Sequence, residues 1–278
     1  SRGIALDTPA GKIYWSDQGT NNIQRANLDG TAIESLVTGL GDPSGIALDI
    51  CAGKMYWTDF GTGAVKIQRA NLQIPDGETP STRTDIDDLI TTGLDLPIGI
   101  ALDTSAGKMY WTDYNLGKIQ RANLNGTAIE DLVTGFAQAT GIALDICAGK
   151  MYWTYLYGIQ RANLDGSGIE DVIDKNFGSA QVAGISLDTS LGKIYWPTPS
   201  EDKIQRANLG GTNIEDLITT VLNFPSAIAL DTSAGQMYWT DFNTNKIQRA
   251  NMPEKPLYDN GYVTHAIPQC SLQYAWIK

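Results

Sequence analysis

Residues 99–135 read GIALDTSAGKMYWTDYNLGKIQRANLNGTAIEDLVTG. Four short runs stand out: GIALD, AGKMYWTD, KIQRANL and IEDLVTG. They are separated by Gly, Asp, Asn and Thr. Runs that short, bounded by turn residues, read as strands rather than helices. The same four runs recur along the chain, marked by Tyr14-Trp15, Tyr56-Trp57, Tyr110-Trp111, Tyr152-Trp153, Tyr195-Trp196 and Tyr238-Trp239. Successive tyrosines are 42, 54, 42, 43 and 43 residues apart. Six copies at a near-constant period indicate a repeat architecture, and four strands per copy suit a propeller blade. The sequence therefore predicts an all-β, six-bladed β-propeller of four-stranded antiparallel blades with almost no helix.

Strand a is expected at 4–6, short and apolar as suits an innermost strand. Strand b carries the Tyr-Trp pair, strand c spans 23–28 and strand d spans 33–37. The strand-d copy at 129–133 holds Glu130 and Asp131, as suits an outer edge where charge discourages edge-to-edge pairing. The 54-residue spacing comes from residues 73–85, an extra Pro/Gly/Thr-rich stretch between strands c and d of blade two that reads as an exposed loop. The whole chain, 1–278, is expected to be one propeller. The repeats cover about 2–252, and an irregular tail, 253–278, supplies the last outer strand at 262–267.

The 278 residues are 42% hydrophobic and 18% charged, enough for a sizeable core. No apolar run approaches the ~18–20 residues of a membrane span. The net charge of -11 argues against nucleic acid, which needs a basic stripe. Three cysteines make no disulfide framework, and one histidine makes no Cys/His zinc site. No signal peptide is visible, and Ser1 is not a natural start, so a processed or trimmed chain is expected.

The runs Tyr56-Trp57-Thr58-Asp59 and Tyr110-Trp111-Thr112-Asp113, each followed by Lys-Ile-Gln-Arg-Ala-Asn-Leu, resemble the class B (YWTD) repeats of the low-density lipoprotein receptor family. The resemblance covers about residues 2–252 and implies a six-bladed propeller. In the receptors such propellers are extracellular and bind protein or peptide ligands, often beside EGF-like modules. This chain lacks the cysteines for such a module, so a free-standing propeller is expected, extracellular or secreted, or periplasmic or on the cell surface of a bacterium.

Residues common to all copies have a structural reading. The six tryptophans are expected to fill the wedges between sheets. Arg25, Arg69, Arg121, Arg161, Arg206 and Arg249 are expected to be buried staples bonded to carbonyls or to one of two repeated acids. One set of acids ends strand a (Asp7, Asp49, Asp103, Asp145, Asp188, Asp231). The other follows Tyr-Trp (Asp17, Asp59, Asp113, Asp241). The strand-a aspartates are read as turn acceptors and not as a metal shell; no metal or other cofactor is expected. Cys51 and Cys147 are expected to be small buried thiols, too far apart to bridge. His265, on the expected edge strand, has no Gly-x-Ser-x-Gly partner. Asn125-Gly126-Thr127 reads as a turn that happens to match a glycosylation sequon.

Function is sought where the blades differ. The b–c loops and the d–a connections should share one face. Trp-to-Arg spacings of 10, 12, 10, 8, 10 and 10 give blade two a longer b–c loop and blade four a shorter one. All five phenylalanines fall on that face: Phe60, Phe136, Phe177, Phe224 and Phe242. Tyr114, Tyr155 and Tyr157 join them. Rigid aromatics with polar neighbours on a concave face suit a protein, peptide or glycan ligand. The plainer reading is that each aromatic caps its own blade. By the resemblance, the position after Tyr-Trp-Thr-Asp often carries a ligand-face aromatic in receptor propellers. Here it holds Gln18, Phe60, Tyr114, Leu156, Pro199 and Phe242. Tyr155 and Thr198 replace the aspartate in blades four and five and are expected to face the ligand. The leading reading is a non-enzymatic binding module. The alternatives are a propeller hydrolase or lyase with an axial site, for which only Glu201, Asp202 and Tyr155 offer candidates, and a structural or self-associating propeller.

Overall fold

The computed structural model describes residues 1–61, 65–136, 138–156, 158–174 and 184–253. These form six antiparallel sheets in chain order and one 3-10 turn, Pro199–Glu201. Blade one runs Ile4–Asp7, Lys12–Asp17, Asn22–Asn27 and Glu34–Val37, one continuous segment. Five blades have four strands. The sixth has three among the described residues: Pro225–Asp231, Gln236–Asp241 and Lys246–Asn251. The expected strand at 262–267, with His265, lies outside the described residues, as does Cys270. The innermost strands follow one another in a ring, and that of blade six meets that of blade one.

The Tyr-Trp pair explains how the ring holds. Adjacent residues of a strand point to opposite faces of its sheet. Each blade therefore offers its tyrosine to one neighbour and its tryptophan to the other. Tyr14 packs in a cluster with Trp57, Tyr56 with Trp111, and Tyr110 with Trp153. Tyr152 clusters with Trp196, Tyr195 with Trp239, and Tyr238 closes the ring with Trp15. Trp57, Trp111, Trp153 and Trp196 are 0% exposed, as the wedge reading expects.

The residue after Tyr-Trp is a second interblade fastener. The Thr58 hydroxyl accepts from Gly45 N–H of its own blade (2.9 Å) and donates to the Ile98 carbonyl of the next (2.9 Å). Thr112 does the same between Gly99 N–H (2.9 Å) and the Thr140 carbonyl (2.7 Å). Ser16 links Gly3 N–H to the Ser44 carbonyl, and Thr240 reaches the Arg2 carbonyl at 3.4 Å. The strands approach so closely here that a Cβ on Gly3, Gly45 or Gly99 would collide with the next blade's carbonyl. Blade five has Pro197 and no hydroxyl. There the Gly184 N–H donates directly to the Ser226 carbonyl, 2.7 Å.

The arginines staple the outer part of the ring, but with a different acid from either set expected. Five of the six face a strand-d carboxylate: Arg25–Glu34 2.7 Å, Arg69–Asp87 2.7 Å, Arg121–Glu130 2.5 Å, Arg161–Glu170 2.6 Å, and Arg206–Glu215. Arg25 and Glu34 are direct cross-strand partners, and the other pairs repeat that register. A second guanidinium nitrogen donates to a carbonyl of the next blade, as expected: Leu72 (3.1 Å), Leu124 (3.2 Å), Leu164 (3.0 Å) and Leu209 (3.5 Å). Arg249 reaches Leu28 at 3.1 Å across the closure. Strand d is an outer edge, so most of these arginines are half-buried rather than buried; Arg161 and Arg206 are held as their sisters are. The strand-a aspartates accept turn N–H groups as expected, for example Asp103 from Ala106 at 2.9 Å and Asp145 from Ala148 at 2.9 Å.

These pairs set an acid dependence. The hydrogen bond from Arg121 holds the Glu130 carboxyl below its usual range, and Arg161 does so for Glu170 and Arg206 for Glu215. A carboxyl depressed in the folded state stabilises the fold above its unfolded-state pKa, here 4.5, and that contribution is lost as pH falls through the lower folded value. Asp42, pushed up by burial, works in the opposite direction. Because exposed pairs are individually weak, the effect is collective. The urea midpoint is expected to hold from pH 7 to about 5 and to drop below about 4.5. Replacing Glu130, Glu170 and Glu215 together by Gln should flatten that limb.

Residues 73–85 form a loop between Lys66–Asn71 and Asp87–Ile90, but not a wholly exposed one. In regular blades the c–d turn places Gly126, Gly166 or Gly211 against the carbonyl of Leu89, Leu132 or Val172 in the preceding blade. In blade two the Arg83 guanidinium donates to the corresponding carbonyl of blade one, Leu36, at 2.9 Å. It also donates to the Asn71 carbonyl (2.8 Å) and pairs with Asp85 (2.7 Å). Cys51 and Cys147 are exposed at a–b turns, not buried. The turn bends away from the sheet and leaves that position in solvent. Cys51 carries a free thiol, so no bridge joins the two.

Candidate functional site

The b–c loops and d–a connections are tied together by the aspartate after Tyr-Trp. Asp59 accepts from Gly41 N–H (2.9 Å) and Asp42 N–H (2.6 Å). Asp113 accepts from Asp95 N–H (2.9 Å) and Leu96 N–H (3.1 Å), and Asp241 from Asn223 N–H (2.7 Å). The fourth residue of the motif therefore shapes this face. In blade five Thr198 points inward instead. It is fully buried, and its hydroxyl donates to Gln205 Oε1 at 3.0 Å. That glutamine oxygen serves the tryptophan indole in four other blades, and the Trp196 indole N–H has no partner among the described residues. Tyr155 is half-buried against the cluster of Tyr110 and Trp153. Thr198, expected to face the ligand, thus lies inside its own sheet, while Tyr155 keeps part of its surface open.

On the axis the loops enclose a cup of about 490 Å³. Its floor is backbone and small side chains at the starts of strands a: Gly3, Ser44 and Gly45, Gly99, Gly141, Gly184, and Ser226. Its rim carries Arg2, Leu96, Tyr114, Pro199, Phe224 and Phe242. Of the aromatics singled out in the sequence, the structure brings Tyr114, Phe224 and Phe242 to the cup. Phe60 lies beside it, its ring 5.3 Å from the Arg2 guanidinium carbon. Phe136 packs on Trp153 (6.0 Å between centroids) and, like Tyr155, caps an interblade cluster. Tyr157 and Phe177 lie outside the described residues.

Phe224 is held open. It is 38% exposed and sits at φ 64°, a left-handed conformation that disfavours a bulky residue. Its N–H donates to Asp202 Oδ1 at 2.7 Å, and its carbonyl accepts from Phe242 N–H at 3.0 Å. The two rings meet edge to face at 6.0 Å and 60°. Such strain amounts to about 1–3 kcal/mol and concentrates at functional sites. Phe224→Gly is expected to leave stability unchanged or raise it by about 1 kcal/mol, strain relief being partly offset by the freer glycine chain. A urea titration checks this; a loss of 2 kcal/mol or more would show that Phe224 is scaffold.

The repeat motif does not single out Arg2 as a site residue. The signal is there: at the position before Gly-Ile-Ala-Leu-Asp the sisters are Ser44, Ile98, Thr140, Ala183 and Ser226, and only Arg2 is charged. It is also the one charged residue among the described residues of the cup. The acids considered for catalysis are engaged otherwise, Glu201 with Lys203 at 3.1 Å and Asp202 with the Phe224 backbone. No group of three or more His, Cys, Asp or Glu is placed to hold a metal among the described residues. No helix there is long and apolar enough to cross a membrane.

Residues 11–50 and 107–146 match the family model for low-density lipoprotein receptor repeat class B. Low-density lipoprotein receptor-related protein 5 of Mus musculus is 32% identical over 124 residues, 44% of this chain and 7% of the relative, so the chain spans a small part of that protein. Among solved structures, a nidogen–laminin complex aligns at TM-score 0.73 and 24% identity, covering 87% of this chain and 89% of that one. A gluconolactonase from Xanthomonas campestris aligns at TM-score 0.70 and 16% identity over 91% of this chain and 86% of its own. Both structural likenesses are likenesses of fold.

Proposed function

The chain belongs to the low-density lipoprotein receptor class B repeat family, and from that premise we propose that it is a non-enzymatic, extracellular binding module that takes a protein or peptide ligand in its axial cup. The observation that carries the reading is the strained, half-open Phe224 paired with Phe242 on the rim. Large aromatics held exposed on the rim of a concave site are the anchors that binding surfaces use. The match of residues 11–50 and 107–146 to the receptor class B repeats supports it. The gluconolactonase likeness carries no activity to this chain, since fold alone does not assign function.

Selection of a random dodecapeptide phage library on the immobilised chain tests the reading. Enriched clones are expected to lose at least tenfold in affinity for a Phe224→Ala, Phe242→Ala double variant that melts normally, since two well-placed aromatic anchors each contribute about 1–2 kcal/mol or more. Clones that bind the double variant equally would remove the cup from consideration.

A further inference from the structure

We infer that the cup's ligand is an acidic peptide segment, an Asp or Glu beside an apolar residue, with the carboxylate on Arg2 and the apolar side chain on Phe224 and Phe242. This rests on the reading of the cup as a binding site and names what it takes. Arg2 is charged at every working pH. In a chain of net charge -11, Arg25, Arg69, Arg83, Arg121, Arg161 and Arg206 each hold a carboxylate. Arg2 and Arg249 hold none among the described residues, and of these two only Arg2 lines the cup. Its guanidinium lies over the Phe60 ring at 5.3 Å, which orients the group and leaves its N–H edges for a carboxylate fork. Burial pushes the Arg2 guanidinium down and the nearby Asp42 carboxyl up; each charge partly offsets the shift of the other, but no ion pair joins the two among the described residues.

Position joins the two halves of the site. Blades one and six are neighbours, fastened where Thr240 meets the Arg2 carbonyl. The Arg2 guanidinium, over Phe60 on the blade-two side, and the Phe224–Phe242 pair line one cup, so one short segment crossing it can meet both. A neutral sugar fits less well. The cup's side chains offer few directed polar groups, chiefly the hydroxyls of Ser44, Thr140 and Ser226, whereas sugar recognition needs several convergent ones.

The test is an array of heptapeptides with a central Asp or Glu followed by Leu or Phe, beside the same peptides with Asn, Gln or Lys at the centre and an oligoglucuronate. They are titrated against the chain, Arg2→Gln and Phe242→Ala, each first checked for an unchanged melt. The chain should prefer acid over amide peptides by about tenfold or more, as a charge-assisted bond to a partly buried guanidinium implies. Arg2→Gln should erase that preference while weak binding persists and still responds to Phe242→Ala. Equal binding of acid and amide peptides that is lost in Phe242→Ala overturns the acidic class and leaves the cup standing. Binding of the oligoglucuronate alone overturns the peptide class. Binding of every probe indifferent to Phe242 overturns both this inference and the cup.

Discussion

Replacing Arg83 by Met is expected to lower the unfolding free energy by about 3–5 kcal/mol, read as a fall in the urea midpoint at unchanged slope. The Arg83 side chain is 0% exposed. Met fills much of its volume but leaves Asp85 without its cation and the Leu36 and Asn71 carbonyls without their donor. Removing one partner of a buried pair strands the other charge, which is why the loss exceeds that of any exposed pair. Arg69→Met is the comparison. Its partner Asp87 is half in solvent, so about 1 kcal/mol or less is expected there. Equal losses at the two positions would mean that the blade-two loop does not brace blade one.

Trp111→Ala is expected to lose about 3–5 kcal/mol, the range for truncating a fully buried aromatic. The indole is 0% exposed, fills the wedge against Tyr56, and donates to Gln120 Oε1 at 3.1 Å. Phenylalanine separates packing from hydrogen bonding. Trp111→Phe strands the Gln120 oxygen, whereas Trp196→Phe removes an N–H that has no partner among the described residues. The first should therefore destabilise more than the second by about 1 kcal/mol in matched urea titrations. The reverse order would contradict the assigned network.

The blades were legible because their message repeats: a Tyr-Trp pair must alternate faces, and six copies can only share their rings with neighbours. The strand-a aspartates were legible for a local reason, since the turn they cap lies in the next three residues. The arginine partners were not. Arg25 and Glu34 are nine residues apart in sequence but face each other only through the c–d register, and two more regular acid series competed for the role. Arg83 was hidden inside a stretch whose composition reads as solvent-exposed. At the site, the motif placed aromatics on the right face but not their depth. Phe136 and Tyr155 sink onto Trp153 and its cluster, while Phe224 is kept out by a left-handed backbone no sequence pattern announces. Arg2 stood apart only in a column of six residues, and columns outside the Tyr-Trp and Arg motifs carry no obvious weight until the strands form a ring.

A crystal structure of the chain with a library-selected peptide tests the central claim most directly. The peptide is expected on the propeller axis, with a side chain against Phe224 and Phe242 and its remaining contacts on the rim formed by Arg2, Leu96 and Tyr114. A peptide seated on the a–b turns, or along the outer edges of strands d, would contradict the account.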